Sequence, residues 1–227
     1  MISVTENLKL IRDLLAKSAV KAQRDPATVN LLAVSKKQPL TKILEAAEAG
    51  QRDFGENFVQ EGLEKIEKTA SLDLVWHFIG HLQTNKTRSV AEHFDWVHTI
   101  DRLKTAKRLS RQRPAGKTPL NVCLQVNIDA EESKSGASPE AVPELARAVA
   151  ELPNIRLRGL MCLPEEHSSP DAQREPFARL RKLAESLAAD GLDIDTLSMG
   201  MSGDYESAIA EGATIVRIGT AVFGPRT

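Results

Sequence analysis

Residues 29–36 read Val-Asn-Leu-Leu-Ala-Val-Ser-Lys, a short apolar and β-branched run that stops on a small polar residue and a lysine. A run of this length without polar alternation is too short for a helix, and it suits a strand buried on both faces of a parallel sheet. An amphipathic stretch follows at 41–49, and the same pairing then repeats along the chain. Strand-like runs stand at 29–35, 52–55, 75–80, 96–101, 120–128, 155–163, 196–199 and 214–219. Helical stretches at 41–49, 59–69, 85–92, 103–112, 139–151, 171–190 and 204–211 separate them. Alternation of this kind builds βα units around a parallel sheet. Eight such units either close a barrel or form an open doubly wound sheet. The count, the regular spacing and the lack of a GxGxxG turn after the first strand favour closure. The expected fold class is α/β, a single (β/α)8 TIM barrel.

Upstream of the first run, Ser3 and Glu6 have capping-box spacing, and Leu8, Ile11, Leu15 and Ala19 recur at helical intervals until Asp25-Pro26. This predicts an N-terminal helix over about 4–24. The stretches 113–119 and 165–170 are too short to act as domain linkers, so one domain over 1–227 is expected. The 30 Lys+Arg residues nearly balance 31 Asp+Glu. That balance leaves no basic footprint for nucleic acid and no polybasic patch for anionic lipid. No apolar run approaches the ~20 residues that span a bilayer, and the opening MISVTENLKLIRDLL does not read as a signal peptide. A cytoplasmic protein is expected. Cys123 and Cys162 sit in apolar surroundings without a CxxC pair and read as buried thiols. His77 and His81 are four apart, but a strand and a turn separate them, so no metal site is expected. The Glu/Lys pairs along 61–68 read as a solvated helix face.

In a barrel, chemistry gathers at the C-terminal ends of the strands. Those positions hold Lys36, Asn57, the Gly80-His81-Leu82-Gln83 turn, Asp101, Asn127, Met161, the loop 198–202 and Gly219-Thr220. Lys36 ends a buried run. It is either a solvated strand-terminal lysine, as Lys37 reads, or an amine aimed into the barrel mouth, where partial desolvation favours the neutral form that Schiff-base chemistry needs. In the last strand, alternation puts Ile215, Arg217 and Gly219 on one face and Val216 and Ile218 on the other. An arginine in mid-strand needs an acceptor. Either a carboxylate on a neighbouring strand or an anionic or acceptor ligand above it would serve. The loop Ser-Met-Gly-Met-Ser-Gly-Asp at 198–204 and the turn at Gly219-Thr220 are both rich in donors, and loops after strands seven and eight are where barrels often hold phosphate. GxSxG and GxxxxGK[ST] motifs are absent.

The chain resembles a known family, the pyridoxal 5'-phosphate (PLP) homeostasis proteins, also called YggS-like or proline-synthase co-transcribed proteins. The matching stretches are LLAVSK at 31–36, FGEN at 54–57, HFIGHLQTNK at 77–86, SKSG at 133–136, RGLM at 158–161, LSMGMSGD at 197–204 and VRIGTAVFG at 216–224. They run in family order over nearly the whole length. The resemblance implies a single PLP-binding barrel akin to the N-terminal barrel domain of alanine racemase, with PLP held as an internal aldimine on Lys36. It further implies Arg217 beside the pyridine nitrogen, Ser202, Gly219 and Thr220 around the phosphate, and Asn57 and Met199 near the ring. His81 departs from the proline common among relatives.

An arginine at the pyridine nitrogen keeps it unprotonated and weakens the electron sink. Alanine racemases tolerate this by bringing a tyrosine base from another domain of the partner subunit, whereas this chain has one tyrosine, Tyr205, within the barrel repeat. The expectation is therefore a monomeric PLP carrier acting in PLP and amino-acid homeostasis. No catalytic residue is assigned, and apo PLP-dependent enzymes are the candidate recipients. The alternatives are a PLP-dependent enzyme with weak racemase-type activity, a cofactor-free Schiff-base aldolase, and an interaction module with a regulatory PLP site.

Overall fold

The computed structural model describes residues 3–130, 135–165 and 167–225. Ser133 and Lys134 of the SKSG stretch lie outside the described residues. Eight parallel strands close a barrel in sequence order. They are β1 (Asn30–Val34), β2 (Asp53–Glu56), β3 (Val75–Phe78), β4 (Trp96–Ile100), β5 (Leu120–Val126), β6 (Ile155–Cys162), β7 (Thr196–Ser198) and β8 (Ile215–Ile218). Closure is made by β8 against β1, in the register Asn30↔Ile215 through Ala33↔Ile218. Outside them lie α2 (Leu40–Glu48), α3 (Val59–Lys68), α4 (Thr87–His93), α5 (Leu103–Gln112), α6 (Val142–Ala150), α7 (Pro170–Ala189), α8 (Tyr205–Ala210) and α9 (Thr220–Phe223), preceded by α1 (Val4–Lys21). Among the described residues, no helix is long and apolar enough to cross a membrane.

Helix α1 begins where the sequence places it. Ser3 and Glu6 form the reciprocal capping box, which satisfies otherwise orphaned N–H groups, and Leu8, Ile11, Leu15 and Ala19 are its buried stripe. The predicted strands and helices all appear, shifted by a residue or two at their ends. The largest displacements are at the end of α1, which stops at Lys21 instead of about 24, and at α6, which begins at Val142 after a turn over the predicted start at 139.

Two cores follow from the alternation of strand side chains. The apolar one lies between sheet and helices and includes Phe54, Phe78, Phe94, Val216 and Ile218. The barrel interior is unusually polar: His98 on β4 reaches Ser198 on β7, and because those strands are not neighbours, the bond crosses the lumen. Barrel interiors are more often filled by branched apolar residues. Cys123 and Cys162 are free and buried, and burial pushes both thiols up to about 12.

Gly159 marks where β6 can pass close to β7: a Cβ there would sit 1.8 Å from the Thr196 carbonyl oxygen. Backbone cannot yield as a flexible side chain does, and overpacking a tight site costs ~1–3 kcal/mol or more. Gly159→Ala is expected to lose about 3 kcal/mol or more of stability in urea unfolding; a loss under about 1 kcal/mol would show that β6 and β7 can part there.

Candidate functional site

A cavity of about 560 Å³ opens at the C-terminal ends of the strands, within the ~300–1,000 Å³ range typical of small-molecule sites. Six of the residues singled out from sequence line it together: Lys36, Asn57, Ser202, Arg217, Gly219 and Thr220. Lys36 comes from the end of β1 and Arg217 from β8, the two strands that pair at closure. Met199 does not line the cavity. It is fully buried in the apolar core, because Ser198 before it points into the lumen and alternation turns Met199 the other way, towards the helices. The methionines that do line the cavity are Met161 and Met201. Tyr205 opens α8 and lies in a neighbouring groove with Ser18 and Lys21, outside the Lys36 cavity.

Arg217 is buried, and its acceptors are now identified. Nη1 donates to the Ser198 carbonyl at 2.5 Å and to Ser198 Oγ at 2.8 Å, while Nη2 donates to the Cys162 carbonyl at 2.9 Å. These are neutral oxygens, so the neighbouring-strand carboxylate considered from sequence is not among these hydrogen-bond partners. Burial lowers the guanidinium's affinity for its proton, and Cys162, Asp204 and Cys123 act the other way. Asn57 brings a different signal. Its Oδ1 is buried and has no hydrogen-bond partner among the described residues, a state that normally costs ~1–3 kcal/mol. The Asn57 backbone is held by the Gly80 turn, where a Cβ would lie 2.1 Å from the Asn57 carbonyl oxygen.

Lys36 is held from behind by a charge cluster that corrects the sequence reading of 61–68. Lys65, expected on a solvated face, is 6% exposed. Its ammonium donates to Glu56 Oε1 at 2.7 Å, Glu61 Oε1 at 2.6 Å and the Ser35 carbonyl at 2.8 Å, which uses all three of its protons. Ser35 Oγ donates to Glu56 Oε1 at 2.5 Å, and the Lys37 N–H donates to Glu61 Oε1 at 2.5 Å. Lys37 is in the left-handed region at φ 57, so the chain turns sharply just beyond Lys36. Both neighbours of Lys36 are thereby pinned. The legible trace of this cluster is the stripe Gly62, Lys65 and Thr69, spaced i, i+3, i+7 and buried on the inner face of α3.

Burial raises Glu56 above the ordinary 4.5, and Lys65 partly offsets it. A carboxyl raised on folding holds more protons folded than unfolded, so stability falls as pH rises through the window from 4.5 to the raised value. Lys65→Met removes the offset and lifts that window's upper end. The variant is expected to lose ~3–5 kcal/mol near neutral pH and to regain part of it on acidification towards the ordinary glutamate value. Urea unfolding of both proteins across pH checks this. A deficit that does not change with pH would mean that Glu56 carries no such penalty.

The family model described as alanine racemase, N-terminal domain, matches residues 5–227. A protein of Pseudomonas aeruginosa named pyridoxal phosphate homeostasis protein is 58% identical over 226 residues, covering 100% of this chain and 97% of that one. The protein of the same name from Escherichia coli K12 is 52% identical over 229 residues, covering 100% of this chain and 98% of that one. Among solved structures, PipY of Synechococcus elongatus with PLP bound superposes with a TM-score of 0.83 at 37% identity, covering 98% of this chain and 100% of that one. Fold, full-length identity and matched family agree with the sequence resemblance: the chain belongs to the alanine racemase N-terminal domain family and, within it, to the pyridoxal phosphate homeostasis proteins.

Proposed function

We propose that this chain binds PLP through the Lys36 amine and acts in homeostasis of that cofactor, as a holder that loads and releases it. The observation that carries the reading is a single cavity shared by a strand-end lysine and a buried arginine, with an amide oxygen left unpartnered at its wall. The names of the full-length relatives and the PLP-bound PipY support the same reading.

The donor set fits such a group. Bound PLP would supply an aldehyde that an amine can capture and a pyridine ring that can withdraw electrons. Lys36 Nζ would hold the aldehyde carbon. Arg217 would donate to the ring nitrogen, and because an arginine does not give up its proton, that nitrogen would stay unprotonated. The Ser202 hydroxyl and the backbone and side-chain donors at Gly219 and Thr220 would receive the phosphate, with Asn57 beside the ring. The role assigned to Met199 passes to Met161 or Met201, which reach the cavity. In this reading one monomeric barrel domain spans residues 1–227, and apo PLP-dependent enzymes are the recipients.

Absence of turnover belongs to the same proposal. It is supported by Tyr205, the chain's one tyrosine, which lies outside the cavity. A weak racemase-type activity has one observation in its favour: His167 lines the cavity and could serve as a second base.

Purified protein loaded with PLP is expected to show an absorbance band that borohydride fixes onto the Lys36 peptide, and Lys36→Ala is expected to lose it. A label on Lys37, or no band at all, would overturn the proposal. Solvent deuterium entering an amino acid at Cα, and lost in His167→Ala, would decide for the enzyme.

A further inference from the structure

A file of buried polar groups runs from one mouth of the barrel to the other. At the N-terminal mouth Asp53, its side chain 39% exposed, has Oδ1 3.0 Å from His77 Nε2. His77 Nδ1 lies 2.9 Å from His98 Nε2, and His98 Nδ1 lies 2.8 Å from Ser198 Oγ. Ser198 Oγ in turn accepts from Arg217 Nη1 at 2.8 Å, and Arg217 lines the cavity at the C-terminal mouth.

The direction of this file follows from its ends. An arginine only donates, and an ionised carboxylate only accepts. With both imidazoles neutral, one arrangement satisfies every member. Arg217 donates to Ser198 Oγ, and the Ser198 hydroxyl donates to His98 Nδ1. His98 Nε2–H donates to His77 Nδ1, and His77 Nε2–H donates to Asp53. Burial first, then His77 and Arg217, holds His98 well below the usual histidine range, which agrees with a neutral ring there. The lower end is stiffened by packing. Trp96 stacks on His77 at 5.3 Å and 9°, and the Arg158 guanidinium lies 4.9 Å over the Trp96 ring.

We propose that Asp53, His77, His98 and Ser198 form a one-way hydrogen-bond column whose task is to position the Arg217 guanidinium for the ring of the bound ligand. These are positioning residues that act through Arg217, and the role rests on the reading of the cavity as a PLP site. A polar plug that merely filled the lumen would not need a fixed direction or a cavity-lining arginine at its end. The column also ties that arginine to Asp53, at the far mouth, where no cavity ligand would touch it. A second space of about 400 Å³ opens there, lined by Asp53, His77, Trp96, Arg158 and Asp195.

Two measurements test this. In the ligand-free protein, ¹⁵N spectra of the imidazoles near neutral pH are expected to show both His77 and His98 protonated on Nε2; a proton on His98 Nδ1 would overturn the column's direction and with it the proposal. In the PLP-loaded protein, Asp53→Leu removes the terminal acceptor at a half-exposed position, whereas Asp53→Asn keeps an oxygen for His77. Asp53→Leu and Ser198→Ala are each expected to shift the absorbance band of the bound cofactor and to weaken PLP binding about tenfold. Asp53→Asn and Ser198→Thr are expected to restore both. Unchanged band and affinity in Asp53→Leu and Ser198→Ala, with thermal unfolding confirming that both fold, would overturn the proposal. A wild-type protein that forms no band would instead defeat the PLP reading and leave the imidazole test of the column standing.

Discussion

A guanidinium ion enclosed by eight strands must find its acceptors inside the barrel, because water cannot reach it freely and burying it unpaired would be prohibitive. Much of the interior can be understood from that requirement. Ser198 turns both its carbonyl and its hydroxyl towards Arg217, and the Cys162 carbonyl supplies a third acceptor. The Ser198 hydroxyl then calls for His98, which calls for His77, until the chain of bonds ends on a carboxylate at the opposite mouth. A lumen that could have been packed with valine and isoleucine is instead a series of satisfied polar groups.

The lysine at the end of the adjoining strand is treated in a complementary way. Its two neighbours are tied into a buried cluster: the Ser35 carbonyl and the Lys37 N–H join Lys65, Glu56 and Glu61. Such a buried cluster adds little net stability by itself, since desolvation offsets most of the attraction. What it does is fix the backbone from which Lys36 projects. From that anchored backbone Lys36 lines the cavity.

The fold was legible because its signal is periodic. Short apolar runs and amphipathic stretches alternate, and each strand lies within a residue or two of its run. The cavity-lining polar residues were legible for a related reason, since strand ends in a barrel can be read off once the strands are placed. Two things escaped. Met199 was assigned to the ring although the alternation that turns Ser198 inward turns Met199 outward, a parity that only the contact of Ser198 with Arg217 fixes. Lys65 looked like one of several surface charges because its partner Glu56 is on another element. The His98–Ser198 contact was invisible for the same cause: it joins residues a hundred positions apart, across strands that are not neighbours.

Helix α1 precedes the barrel in sequence, yet packs against α2, α8 and α9, over the seam where β8 meets β1. Asn7 donates to the Val222 carbonyl, and Lys42 donates to the Phe223 carbonyl, so the first elements of the chain are fastened to the last. The cavity has the same geography, with Lys36 near the start and Arg217 near the end. During synthesis, the first strand must therefore wait, with one edge unpaired, until the eighth has left the ribosome. Contacts of such long sequence separation form late, because the loop that joins them must first be closed. Ligand-holding geometry thus exists only in a chain made to its final strand, and a fragment stalled short of β8 would lack it.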